Sequence, residues 1–181
     1  VGSEMCIRDR FHAYLQRKNV PWESALATGL NKKMFKHIRS SLDAANKELG
    51  AERGEAPDAV GTGNRFSHLM AIAPNASSSI LMGNTSPSIE PFRANAYRQD
   101  TLSGSYLNKN RYLDKIIKKE AENHKDGWYE DTWSSIIAND GSVQHLDWMD
   151  DNTKDVFKTS MEIDQRWVVQ HAADRQEFID L

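Results

Sequence analysis

The residues best suited to chemistry lie in one short loop, Pro74-Asn75-Ala76-Ser77-Ser78. An apolar run over residues 69–72 precedes this loop, and a second apolar run, Ile80-Leu81-Met82, follows it closely. This order predicts a buried strand, a loop and the first turn of a helix. Such a turn offers unpaired backbone N–H groups at the positive end of the helix dipole, and serine hydroxyls add further donors. The loop is therefore a candidate phosphate-binding site.

A second interpretation of the loop stays open, because serine is also a common helix cap. The sequence contains neither Gly-x-Gly-x-x-Gly nor Gly-x-x-x-x-Gly-Lys-Ser/Thr, so neither a dinucleotide-binding fold nor a P-loop is supported. A phosphate site here would consist of backbone N–H groups and hydroxyls without a lysine. Glu90, between Ile89 and Pro91, is expected to support the loop structurally.

The elements that must position the loop are predicted to be mostly helical. A long amphipathic helix is indicated by apolar residues at steps of four and three, with Gly50 and Gly54 read as lying just beyond its end. Its predicted buried face comprises Leu26, Leu30, Met34, Ile38, Leu42, Ala45 and Leu49.

The second half of the chain is predicted to begin with a hairpin around Ser103-Gly104. Helices are predicted over 112–120, 127–138 and 151–161. A final helix, capped by Asp164, is predicted from Gln165 to the end of the chain, because no glycine or proline closes it.

Composition bounds the class of protein. The chain has 181 residues, 39% of them hydrophobic and 27% charged, which is typical of a globular domain with a core. A net charge of −3 argues against a nucleic-acid partner, since binding phosphate backbones requires a basic excess. No apolar run approaches the length of a bilayer span, and no secretory signal is present, so we expect a cytoplasmic protein without a membrane role.

The first ten residues are expected to be foreign to the fold. They resemble translated sequencing-adapter sequence and share no pattern with the rest of the chain, so the domain is taken as residues 11–181. Cys6, the sole cysteine, lies in this tail. The six histidines show no His-x-x-x-His spacing. The sequence therefore predicts no metal ligands, no disulfide and no cysteine nucleophile within the domain.

Several separated motifs, in order, resemble one family, the large (alpha) subunit of class I ribonucleotide reductase. The resemblance runs from about Phe11 to the end of the chain. The motifs that carry it are Met70 to Ser79, Ser88-Ile89-Glu90-Pro91, Leu102-Ser103-Gly104, Gly141-Ser142-Val143-Gln144-His145-Leu146, and Ala172-Ala173-Asp174-Arg175 leading to Phe178-Ile179-Asp180.

The resemblance implies an α/β fold, a ten-stranded α/β barrel made of two five-stranded halves. This chain would be a fragment of it from the C-terminal half, truncated at both ends and mostly helical with a few short strands. The family reduces ribonucleoside diphosphates to deoxyribonucleoside diphosphates by radical chemistry, supplying deoxyribonucleotides for DNA replication. A radical passes from the metal-radical cofactor of a small subunit to a cysteine of the large subunit, and a cysteine pair supplies the electrons.

The same resemblance implies a role for the loop in binding the substrate diphosphate. In the family the substrate diphosphate docks on a Pro-x-x-Ser/Thr-Ser/Thr loop, which matches Pro74, Asn75, Ala76, Ser77 and Ser78. The full-length protein is expected to form a homodimer, bind a small subunit and respond to nucleotide effectors such as ATP.

The family's catalytic motif, Asn-x-Cys-x-Glu, is absent from this chain. The chain alone is therefore expected to hold no catalytic residue and no cofactor, and to be inactive. A stand-alone phosphate-binding module and a helical interaction domain without a ligand remain the alternative interpretations.

Overall fold

The computed structural model describes residues 11–72, 90–101 and 104–180. Within these ranges the chain forms six α-helices and one two-stranded antiparallel sheet. In chain order the elements are α1 (Phe11–Arg17), α2 (Ala25–Arg53), β1 (Ala96–Thr101), β2 (Gly104–Lys109), α3 (Arg111–Ala121), α4 (Trp128–Ala138), α5 (Asp151–Val156) and α6 (Gln165–Gln176). The described residues are thus mostly helical with two short strands, as predicted.

The long helix α2 forms where it was predicted, and Leu30, Met34, Ile38 and Leu42 of its predicted face pack half-buried against the core. The fully buried residues lie one position further along the chain. The buried positions are Ala27, Asn31, Phe35, Asn46 and Gly50. Leu26, which the apolar pattern placed on the inner face, is 61% exposed. Two asparagines lie on this buried face and find carbonyl partners there: the Asn31 side chain donates to the His171 carbonyl, and the Asn46 side chain donates to the Phe66 carbonyl.

Three hydrophobic clusters form the core. The first joins β1 to α3, α4 and α5, and its members include Leu113, Ile117, Trp133, Ile136, Val156 and Phe157. The second joins α1 to the start of α2 and to Ile163, around a fully buried Trp22. In the third cluster, Phe35 of α2 contacts Met70 and Ile179. Met70 of this last cluster precedes Pro74, the first residue of the predicted phosphate loop, by four residues.

Of the remaining predicted elements, the hairpin and the cap of α6 are confirmed, whereas the end of α5 and the strand before the loop are not. The hairpin forms as expected, with Ala96 paired to Lys109 and Thr101 paired to Gly104. The side chain of Asp164 accepts from the Arg166 amide and caps α6. By contrast, α5 ends at Val156, short of its predicted end, and residues 65–72 form no regular strand.

The prediction that the last helix continues to the end of the chain is wrong. Helix α6 ends at Gln176, and the chain then turns, with the Phe178 amide donating to the Arg175 carbonyl. Ile179 leaves the helix because its side chain packs in the cluster formed by Phe35 and Met70. The burial of apolar side chains outweighs continued helix formation here.

The prediction that Gly50 lies beyond the end of the long helix is also wrong, because Gly50 lies inside α2. A Cβ atom built on Gly50 would lie 2.2 Å from the Gly63 carbonyl oxygen. The loop after the helix therefore packs directly on the helix backbone. Gly29, in the same helix, has no atom within 4 Å of such a Cβ.

These two glycines give opposite expectations for alanine. Gly29→Ala should raise stability by up to about 1 kcal/mol, because alanine favours the helix. Gly50→Ala should lower stability by about 1–3 kcal/mol, because the added methyl group clashes with backbone. Thermal unfolding of the two variants measures the difference. A stabilised Gly50→Ala variant would contradict the close approach of Gly63.

Candidate functional site

The predicted phosphate-binding residues Pro74, Asn75, Ala76, Ser77 and Ser78 lie outside the described residues. The structure describes the segments that lead into and out of this part of the chain. The segment before it ends at Ile72, and the segment after it begins at Glu90, whose side chain is exposed. Each segment is held by side chains from distant positions in the sequence.

The segment before the loop is held by the carboxylate of Asp180. Its Oδ2 accepts from the backbone N–H groups of Leu69 and Met70, at 2.7 and 2.9 Å. The Asp180 amide in turn donates to the Met70 carbonyl at 3.0 Å. Three hydrogen bonds therefore fix the backbone of two consecutive residues against the segment that follows α6.

The other oxygen of this carboxylate faces a cation. Arg39 of α2 places its Nη1 atom 2.7 Å from Asp180 Oδ1 and its Nε atom 3.0 Å from Asp43 Oδ1. Burial alone would raise the pKa of Asp180, but the Leu69 amide, Arg39 and the Met70 amide together hold this pKa below its usual value. The carboxylate is thus ionised and accepts hydrogen bonds at both oxygens.

The segment after the loop is held by His12 of α1. The Phe92 amide donates to His12 Nδ1 at 2.8 Å, and the Phe92 carbonyl accepts from the Ser160 amide at 2.7 Å. Burial lowers the pKa of His12 from 6.5 to about 3, against the opposing effect of a hydrogen bond to the Val156 backbone. The ring therefore stays neutral at physiological pH, and its Nδ1 lone pair remains an acceptor.

Buried amide side chains extend this anchoring. The Asn95 side chain donates to the carbonyls of Gly141 and Phe157, at 3.0 and 2.7 Å. The Asn110 side chain donates to Asn95 Oδ1 and to Gln16 Oε1, at 3.0 and 2.9 Å. Asn110 also caps α3 through its Oδ1 atom. The backbone over residues 92–95 is consequently fixed to α1, α3 and the turn after α4.

The sequence alone did not reveal these supporting residues. No functional role was assigned from the sequence to His12, Arg39, Asn95 or Asn110. A hydrophobic pattern cannot reveal them, because each is a polar residue whose partner lies far away in the chain. The resemblance offered one signal, since Asp180 ends one of its motifs.

The other histidine near the loop does not join the anchoring groups. His68 is exposed, with Nδ1 3.2 Å from the Ser67 hydroxyl. Across residues 11–72, 90–101 and 104–180, no three His, Cys, Asp or Glu side chains come together to hold a metal ion. In the same ranges no helix is both long enough and apolar enough to cross a bilayer.

Comparison with known proteins identifies the family. The family model for the ribonucleotide reductase barrel domain matches residues 57–181. The chain belongs to the ribonucleotide reductase family. The reductase relatives include the ribonucleoside-diphosphate reductase large subunit of Invertebrate iridescent virus 6, which is 55% identical over 172 residues. The match covers 94% of this chain and 18% of the viral protein.

A second viral relative is similar to this chain in sequence, and a solved reductase structure is similar to it in fold. The corresponding large subunit of Invertebrate iridescent virus 3 is 56% identical over 94% of this chain and 27% of its own length. The class Id ribonucleotide reductase alpha subunit of Actinobacillus ureae superposes with a TM-score of 0.83 and 40% identity, over 95% of this chain and 30% of that one. The chain therefore spans less than a third of the length of these relatives and has the fold of part of the barrel domain.

Proposed function

We propose that the protein containing this chain is the large subunit of a ribonucleoside-diphosphate reductase, which reduces ribonucleoside diphosphates to deoxyribonucleoside diphosphates. The observation that carries this proposal is 55% identity to a reductase large subunit over 94% of the chain. Its partners would be a small subunit, a second copy of the large subunit and nucleotide effectors. The protein would act in the cytoplasm.

Within this enzyme, the proposed role of the chain is to hold the substrate diphosphate at Pro74 to Ser78. Backbone N–H groups and the hydroxyls of Ser77 and Ser78 would donate to phosphate oxygens. The anchoring of both flanking segments supports this role, because a site made of backbone donors works only when its backbone is fixed. Asp180 holds Leu69 and Met70 before the loop.

The remaining chemistry would come from other parts of the enzyme. A small-subunit metal cofactor would supply the radical. The sole cysteine of this sequence is Cys6, in the tail that we expect to be foreign. We therefore assign to this chain binding and orientation of the diphosphate, and we expect the isolated chain to produce no deoxyribonucleotide.

The test is reduction by the full-length protein together with its small subunit. We expect turnover of a ribonucleoside diphosphate, with much weaker binding of the corresponding nucleoside that lacks phosphates. The isolated 181-residue chain is the matched negative control. Equal binding of nucleoside and diphosphate would contradict a phosphate-binding role, and absence of reduction by the assembled enzyme would contradict the proposed activity.

A further inference from the structure

We propose that Asp180 and Arg39 form a positioning pair that sets the entry of the substrate-phosphate loop. This proposal rests on the proposed function of the loop. It assigns to two residues outside the loop a role in substrate affinity rather than in stability alone.

The contacts of Asp180 act directly on the backbone that enters the loop. Both N–H groups at Leu69 and Met70 donate to the same carboxylate oxygen, while the Met70 carbonyl accepts from the Asp180 amide. Met70 precedes Pro74 by four residues. Four residues span at most about 14 Å, so the backbone that Asp180 holds lies within that distance of Pro74.

A carboxylate is required at this position because the two oxygens have different donors. One oxygen accepts from the two amides, and the other accepts from the Arg39 guanidinium at 2.7 Å. An asparagine has only one acceptor oxygen, so its NH₂ group would face either backbone N–H groups or the guanidinium. The Asp180 side chain is only 16% exposed, which limits the water available to compensate.

Arg39 connects this carboxylate to a rigid element. It lies in α2, a helix of 29 residues, and the neighbouring Phe35 packs against Met70 and Ile179. Asp43 contacts the same guanidinium, but its side chain is 49% exposed and no contact joins it to the loop entry among the described residues. Asp43 is therefore a matched control that perturbs Arg39 without removing an acceptor from Leu69 or Met70.

The experiment compares Asp180→Asn with Asp43→Asn in the full-length enzyme assembled with its small subunit. We expect Asp180→Asn to raise the KM for a ribonucleoside diphosphate about five- to tenfold, because charged hydrogen bonds are lost. The kcat should stay within about twofold, since no reacting atom is touched. Asp43→Asn should leave both constants unchanged.

A second variant keeps the test decisive if Asp180→Asn does not fold. Arg39→Gln preserves the carboxylate and its bonds to Leu69 and Met70 but removes its cation. We expect a smaller rise in KM, with Arg39→Lys partly restoring affinity. A lower thermal midpoint with an unchanged KM in these variants would overturn the positioning role and leave a structural one.

Failure of this inference can be distinguished from failure of the loop assignment. If alanine at Ser77 and Ser78 raises KM while Asp180→Asn and Arg39→Gln do not, only the positioning role is wrong. If the serine substitutions leave KM unchanged, the loop assignment is wrong, and the positioning pair is overturned with it.

Discussion

Under the proposed function, replacing Ser77 and Ser78 together by alanine in the full-length protein is expected to raise the KM for a ribonucleoside diphosphate by about tenfold or more. Each hydrogen bond to a charged group contributes about 1.5–3 kcal/mol, and about 1.4 kcal/mol corresponds to tenfold in affinity. The loop contains no lysine, so the proposed binding of phosphate is expected to depend on the geometry of its donors. Steady-state kinetics at saturating small subunit would measure the effect.

The matched control for this experiment is a double substitution at two exposed serines, Ser41→Ala with Ser134→Ala. Both hydroxyls donate to a carbonyl four residues earlier in their own helices. The control should keep the wild-type KM, and binding of the small subunit should be unchanged in both variants. A wild-type KM in a folded Ser77 and Ser78 variant would mean that the serines act only as a helix cap.

Asn95→Ala is expected to cause the largest loss of stability among the supporting residues. The substitution removes the donor to the Phe157 carbonyl and the acceptor for the Asn110 side chain, all in buried surroundings. Each buried polar group left unsatisfied costs about 1–3 kcal/mol, so we expect a loss of about 2–6 kcal/mol. At about 2–4 °C per kcal/mol, calorimetry should show the domain's thermal midpoint falling by about 5 °C or more.

Asn139→Ala provides the comparison for Asn95. Asn139 is exposed, and its side chain donates to the Ser135 carbonyl within the last turn of α4. Water can replace that donor, so the thermal midpoint should change little. Equal shifts for the two variants would show that the buried amides contribute no more than an exposed one.

The sequence predicted the elements whose signals are local. The Asp164 cap and the pairing of β1 with β2 depend on residues close in sequence, and both formed where expected. The resemblance carried the family assignment and pointed to the loop at Pro74 to Ser78, whose role in phosphate binding stays a prediction. Motifs that occur in order identify a family even when their structural roles are unknown.

The features that the sequence did not predict, such as the fully buried face of α2 and the end of α6, depend on tertiary contacts. A local sequence pattern carries no information about these contacts. Asn31 and Asn46 can be buried on the inner face of α2 because distant carbonyls accept hydrogen bonds from their side-chain amides. The end of α6 is set by the packing of Ile179 on Met70 rather than by a glycine or proline. Burial of polar side chains can be recognised only once their partners are in place.

The anchoring of the two segments also has a consequence for how the protein folds. His12 meets Phe92 across 80 residues, and Asp180 meets Met70 across 110 residues. Contacts this distant in sequence close late, since the chain entropy of large loops must be overcome first. During synthesis, the entry to the loop would lack its carboxylate until residue 180 had emerged from the ribosome. The proposed phosphate loop would thus wait for an anchor that is translated roughly a hundred residues after it.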